Sequence, residues 1–334
     1  MLTKSQIRTV ATRAAEVISD SGAKRRVQEG YTRVDPFRIA QSAGVIVMLR
    51  PLEKLFGAFV RQKQPGILVN SERPAGLIQM TCAHELGHFF LGHETTTDDQ
   101  LDYGYRANQT ELEADWFAYS LVAPRWAIAN IMRKKRWSIA DLSHPFVLYQ
   151  LSLRLGISYQ ATAWSLNRLE LIEKPIVEKL LRTQPAKIKS SLLGRPLENS
   201  QRDVWLLDES DQDFILEPRV DDQMLVRLKS HTGTGYVWTV DETASEGFSV
   251  EPLMLSASEL SADDALIAGG IHYQDYLVSK PSLGHSHLRL SERKAWNPLE
   301  PALDSYSTET CYENLTNGLS PVAKEALLQG TESA

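Results

Sequence analysis

The run His84-Glu85-Leu86-Gly87-His88 has the residue types and spacing that metal-assisted hydrolysis needs. On a helix, imidazoles four residues apart share one face about 5.4 Å apart and can reach one cation. Glu85 sits beside them, where it can take a proton from a metal-bound water. Two neutral histidines and one carboxylate suit Zn2+ and leave a fourth position for that water, whose pKa falls to about 7. The chemistry expected is attack of the activated water on a peptide carbonyl, with zinc as cofactor and His84 and His88 as ligands.

The third ligand must come from another element, and Glu111-Leu112-Glu113-Ala114-Asp115 offers two glutamates. Residues two apart on a helix point about 200° away from each other, so only one can face the metal. Ala114 and Ala118 are small enough for close helix packing and lie near Glu111 on the helical wheel. Asp115, four residues after Glu111, lies on the same side and can hold a ligand imidazole by its second nitrogen. Glu113 pairs with Thr110 as a capping box, although Asn108 with Glu111 has the same spacing. Glu111 is favoured, with Glu113 as the alternative. His93, Tyr103 and Tyr105 are candidate donors to the oxyanion of a tetrahedral intermediate. His93 falls five residues after His88, one short of the metzincin spacing, and that class is excluded.

These residues need elements to carry them. Leu2 to Glu29 reads as one helix, with Ile7, Val10, Ala14, Val17 and Ile18 as its apolar stripe. A short helix opens at Asp35-Pro36. Extended stretches follow at Val45–Leu49, Ala58–Arg61 and Ile67–Asn70, the last two forming a hairpin. Pro74 suits the first turn of a long helix that carries the histidines to Leu91 and stops at Gly92. His93 to Gln109 reads as a loop, and a helix from about Thr110 to Val122 carries the glutamates.

Val34 to Pro124 resembles the ImmA/IrrE metallopeptidases. The resemblance rests on Val34-Asp35-Pro36, Gly66-Ile67-Leu68-Val69-Asn70, Ala83-His84-Glu85-Leu86-Gly87-His88 with Leu91-Gly92-His93, Glu111-x-x-Ala114-Asp115-x-Phe117-Ala118 and Leu121-Val122-Ala123-Pro124. It implies a compact zincin-like α+β domain with zinc on the two histidines and Glu111. It also implies intracellular cleavage of a regulatory protein, such as a helix-turn-helix repressor encoded nearby. By that analogy Ile67–Asn70 is an edge strand that holds the substrate extended.

From Trp126 to Arg182 the pattern stays helical. Arg154-Leu155-Gly156-Ile157-Ser158, followed by Ala161, Trp164, Leu166 and Leu169, reads as helix-turn-helix wiring, with Gly156 at the turn and Ser158 as cap. Arg133-Lys134-Lys135-Arg136 is a basic cluster that could meet phosphate. The following helix has few basic residues, which favours packing over nucleic-acid binding.

Beyond Lys187 short alternating runs at Met224–Leu228, Tyr236–Val240, Tyr273–Val278 and Ser286–Leu290 predict a β-sandwich. Thr234-Gly235-Tyr236-Val237-Trp238, Ala268-Gly269-Gly270, Gly284 and Lys294-Ala295-Trp296 are similar in order and separation to the three loops of chagasin-like inhibitors of papain-type cysteine peptidases. That resemblance covers about Val204 to Pro298 and implies an immunoglobulin-like sandwich with binding loops at one end. His231-Thr232-Gly233, Ile267 and Lys294-Ala295 depart from the family's loop pattern. A frame kept while its loop tips change implies recognition of a substrate or partner, or gating of the zinc cleft, rather than papain inhibition.

The expected organisation is a metallopeptidase domain over 1–125, a helical segment over 126–190, a chagasin-like sandwich over 191–300 and a polar tail over 301–334. The 334 residues and 43% apolar content fit such a chain and exclude a wholly disordered one. A net charge of −6 argues against a globally basic nucleic-acid binder. Two cysteines, Cys82 and Cys311, give no disulfide framework and point to a reducing cytoplasm. No secretory signal or membrane-spanning run is visible. The competing classes are a non-catalytic or DNA-binding regulator with a vestigial zinc site, and a peptidase inhibitor with an accessory metal domain.

Overall fold

The computed structural model describes residues 2–94, 96–98, 109–197, 199, 201–253, 272–280, 282–297 and 300–312. As far as they are described, residues 1–130 and 151–173 form one compact unit and residues 131–150 and 174–314 another. The helical segment expected over 126–190 is thus divided between the two.

The first unit opens with helices α1 (Lys4–Asp20) and α2 (Ala23–Gln28). The single helix expected over Leu2–Glu29 breaks at Gly22, whose φ of 74° no α-helix admits. Val10, Ala14, Val17 and Ile18 of the expected stripe are buried. Asp35 caps α3 (Pro36–Ser42), accepting from Phe37 N at 2.9 Å. Then come β1 (Ile46–Arg50), β2 (Gly57–Val60), β3 (Gly66–Asn70), α4 (Ala75–Leu91), β4 (Thr96–Asp98) and α5 (Gln109–Val122). β2 and β3 are an antiparallel hairpin. The edge position expected for Ile67–Asn70 is corrected: the order is β1-β3-β2-β4, and parallel pairing with β1 along its whole length fills the other side of β3. The outer strands are β1 and β4, and β4 lies inside the stretch expected to be loop. α4 packs on β2, β3 and α5, and every residue from Ile78 to His88 is buried.

α6 (Arg125–Lys135) follows Pro124, and α7 (Pro145–Leu155) and α8 (Tyr159–Arg168) come next, separated by the turn at Gly156. Gly156 turns the chain with φ 71°, and Ser158 accepts from Ala161 N at 3.1 Å. Tyr159, Ala161, Thr162, Ala163, Ser165 and Leu166 are buried, so α8 is a packing helix along most of its length.

α9 (Lys174–Leu180) leads to α10 (Pro185–Leu193), which spans the boundary expected between residues 190 and 191. Pro185 in its first turn and left-handed Gly194 at its end punctuate a helix there. The remaining strands are β5 (Val204–Leu207), β6 (Ile215–Leu216), β7 (Gln223–Ser230), β8 (Tyr236–Val240), β9 (Ser249–Leu253), β10 (His272–Ser279), β11 (Gly284–Lys294) and β12 (Asp304–Tyr312). They make two four-stranded sheets, β5-β7-β10-β9 and β6-β12-β11-β8. The predicted runs are β7, β8, β10 and β11. The polar tail expected from residue 301 is corrected by β12, which pairs with β11 from Gly284↔Tyr312 to Glu292↔Asp304. Its inward residues include Thr308 and Thr310, which hide a buried strand from hydropathy. Side chains tie the sheets together: Trp238 Nε1 donates to Lys229 O at 2.7 Å, and Tyr312 Oη to Met224 Sδ at 3.8 Å. Among the described residues no helix is long and apolar enough to cross a membrane.

The basic cluster at the end of α6 faces inward in part. Lys134 Nζ donates to Asp213 O at 2.8 Å, and Lys135 Nζ lies 2.7 Å from Asp211 and 2.9 Å from Asp208. Asp211 is fully buried, so removing Lys135 strands a buried carboxylate. Lys135→Ala should cost roughly 3 kcal/mol in denaturant unfolding. Burial raises the Asp208 carboxyl, but Lys135 and Ser210 outweigh it and hold it below its usual value. A group depressed in the folded state supports the fold above its unfolded pKa. This tie should therefore be intact above about pH 4 and weaken as pH falls further, a drop smaller in Lys135→Ala.

Candidate metal centre

The centre exists because α4 and α5 approach closely. A Cβ built on Gly87 would lie 3.0 Å from both the Cα and the carbonyl oxygen of Ala114. Any larger residue at 87 would push the helices apart. Short carboxylate side chains on α5 can therefore reach imidazoles on α4.

His84 Nε2 lies 3.1 Å from His88 Nε2 and 3.2 Å from Glu111 Oε2, and His88 Nε2 lies 3.5 Å from the same oxygen. A tetrahedral ion with bonds of about 2.05 Å sets neighbouring donors about 3.3 Å apart. The triangle of two nitrogens and one oxygen has that size, so these residues fit a tetrahedral metal ion with one position left open. It is the one such group found among the described residues. Both imidazoles are buried, while Glu111 keeps 28% of its side chain exposed. Burial raises the Glu111 carboxyl, but hydrogen bonds and charge from His84 and His88 outweigh it and hold it far below the usual carboxylate range. Asp115 Oδ1 lies 3.0 Å from His84 Nδ1, the outer partner that fixes a ligand ring.

Glu85 is fully buried on α4. Its carboxylate lies against β2 at Gly57, where a Cβ would come 2.7 Å from Glu85 Oε1 and 2.5 Å from Thr81 Cγ2. Sequence reasoning missed Gly57 and Gly87. Gly87 is a glycine inside a helix, which itself signals a close approach, whereas Gly57 opens β2 and carries no such signal. It also missed Arg61, which donates to the carbonyls of Phe89 at 3.0 Å and His93 at 2.7 Å and so closes the end of α4.

Two expectations are corrected. Thr110 lies inside α5 and is no cap, since the helix already begins at Gln109. Glu113 instead accepts from Gln109 Nε2 at 2.8 Å and lies 3.3 Å from His93 Nε2. His93 is not available as an oxyanion donor: its other nitrogen is 2.9 Å from His88 Nδ1, so both ring nitrogens are engaged. Burial and then His88 lower the His93 pKa, outweighing the opposing pull of Glu113. Tyr103 and Tyr105 lie outside the described residues, as do Gly269 and Gly270.

In the second unit, Trp238 is 8% exposed and is a core residue rather than a binding one. Gly235 (φ 84°) packs under the Trp296 ring, where a Cβ would lie 2.2 Å from the indole. Ala295 N donates to Gly235 O at 3.2 Å, and buried Glu292 accepts from both His231 N and Nδ1 at 2.7 Å. Tyr236 and Lys294 thus pair where β8 begins and β11 ends, next to the Thr234 turn and beside a Trp296 that is 69% exposed.

Residues 40–167 match the family model of the IrrE N-terminal-like domain, Peptidase_M78. That span holds His84, Glu85, His88 and Glu111 and runs on through α7 and most of α8. The match and the His84–His88–Glu111 cluster together support a metal-binding, peptidase-like reading of that span. No curated protein matches the chain. Among solved structures, the chain is similar to the cysteine protease inhibitor EhICP2 from Entamoeba histolytica, at 15% identity and TM-score 0.27, covering 34% of this chain and 100% of that one. The solution structure of amebosin is similar at 20% identity and TM-score 0.25, covering 33% of this chain and 98% of that one.

Glu111→Gln should weaken metal binding by more than the roughly 10–100-fold that an outer partner is worth, because it removes a ligand charge. Chelator competition followed by elemental analysis measures the loss.

Proposed function

We propose that the chain is a zinc-dependent endopeptidase that cleaves a regulatory protein of the repressor or antitoxin type in the cytoplasm. The observation that carries this reading is the His84–His88–Glu111 triangle, sized for one tetrahedral ion, with a buried glutamate adjacent in sequence. The chemistry a bound zinc supplies is polarisation of the scissile carbonyl and acidification of a water. His84, His88 and Glu111 would hold the ion. Glu85 would take the proton from the attacking water and pass it to the leaving amine. Asp115 would keep the His84 ring in its ligating orientation.

The first unit is read as zincin-like and the two sheets of the second as an immunoglobulin-like sandwich. The sandwich would recognise substrate or a partner through the loops around Gly235 and Trp296. Fusion in one chain holds such a module at high effective concentration near the protease substrate. A vestigial, non-catalytic site has no use for Glu85, nor for the space that Gly57 leaves it. The burial of α8 argues against a DNA-reading role. Cys82 and Cys311 are both buried thiols, in keeping with a reducing compartment.

Glu85→Gln should keep one zinc per chain and abolish cleavage. Cells making the wild type should show new protein N-termini that are missing from cells making Glu85→Gln. Identical N-termini in the two, or zinc loss in Glu85→Gln as severe as in His84→Ala, would overturn the reading.

A further inference from the structure

His93 and Glu113 lie outside the three donors, yet the structure joins both to them. His88 Nδ1 and His93 Nδ1 are 2.9 Å apart, and His93 Nε2 is 3.3 Å from Glu113 Oε2. The second Glu113 oxygen accepts from Gln109 Nε2 at 2.8 Å. A nitrogen–nitrogen contact of this length carries one hydrogen, so one ring donates and the other accepts. The far end of His88 decides which. Its Nε2 belongs to the donor triangle, and a neutral imidazole that ligates through Nε2 keeps its hydrogen on Nδ1. His88 Nδ1–H then donates, and His93 Nδ1 accepts. A neutral His93 must carry its own hydrogen on Nε2, where it donates to Glu113. One arrangement of hydrogens satisfies every contact in the chain.

The backbone is built to put His93 there. α4 ends at Gly92 in the left-handed region (φ 78°), and His93 N bonds back to His88 O at 2.9 Å. Arg61 holds the same turn through the carbonyl of His93 at 2.7 Å. His93 is buried to 8% of its side-chain exposure, although it follows a helix end that would ordinarily face water.

We propose that His93 and Glu113 are positioning residues for the metal centre, fixing His88 in its ligating tautomer and orientation as Asp115 does for His84. The inference rests on the metal reading above. It makes the two ligand histidines equivalent in kind: each ends on a carboxylate of α5, His84 directly and His88 through one intervening ring.

The test is zinc affinity of the full chain by chelator competition, with the visible spectrum of the cobalt-substituted protein and melting with and without metal. His93→Ala and Glu113→Ala should each weaken zinc about 10–100-fold and shift the cobalt bands. Their metal-free melting should change less than the stabilisation zinc confers. Glu113→Gln should recover most of the affinity, because its amide oxygen still accepts from His93 Nε2–H while the Gln109 amide flips. Wild-type affinity in His93→Ala and Glu113→Ala would overturn the proposal and leave the metal reading standing. So would a Glu113→Gln no better than Glu113→Ala, or a loss fully matched in metal-free stability. A wild-type chain that binds no zinc would instead overturn the metal reading itself.

Discussion

Gly87 and Ala114 set how near two helices can come, and the centre depends on that distance. His84 and His88 stand one turn apart on α4, with Gly87 between them, while Glu111 and Asp115 stand one turn apart on α5 around Ala114. Two side chains on one helix thus face two on the other across a gap with no Cβ on the α4 side. Carboxylates as short as that of Asp115 then reach an imidazole nitrogen at 3.0 Å. A glycine inside a helix costs about 1 kcal/mol against alanine, which the tight packing of α4 on α5 offsets.

Close approach also removes water from groups that need it. His84, Glu85 and His88 are buried at 2%, 0% and 0% exposure, in the middle of a helix whose neighbouring residues are largely apolar. Buried polar groups survive only when their partners are supplied. The partners for the imidazoles come from α5 and from the turn after α4, which is why those segments carry acidic and histidine residues where a plain packing helix would carry aliphatic ones. The same burial lowers the local dielectric, so a charge developing near Glu85 is felt strongly.

Much of this is legible in the sequence. The four-residue spacing of the histidines, Pro74 and Gly92 as punctuation, and the small residues beside Glu111 point to the donors, with Glu113 left as the alternative to Glu111. What was not legible depended on partners distant in the chain. β3 reads as a strand from its own residues, but its position between β1 and β2 is a property of pairing, which no local pattern encodes. β12 escaped because threonines fill inward positions, and α10 because Pro185, Lys187 and Ser190 are as common in linkers as at helix starts and surfaces. The approach of Trp296 to Gly235 likewise joins residues some sixty positions apart, which no local pattern encodes.

Glu111 and Glu113 show how far a helical wheel can be trusted. Two residues apart, they point in opposed directions, and the wheel correctly allows one of them into the donor triangle. It goes wrong in treating the other as free for a local duty such as capping. The wheel knows only its own helix, and His93 belongs to neither α4 nor α5. Because α4 stops at Gly92 and the chain folds back, His93 stands beside α5 on the side that Glu113 faces. A carboxylate turned away from the metal by helical geometry is thereby returned to it through a ring contributed by the turn. Opposed faces of α5 then serve one centre, and the run of acidic residues at its start is accounted for by the two histidines of α4 and the one that follows them.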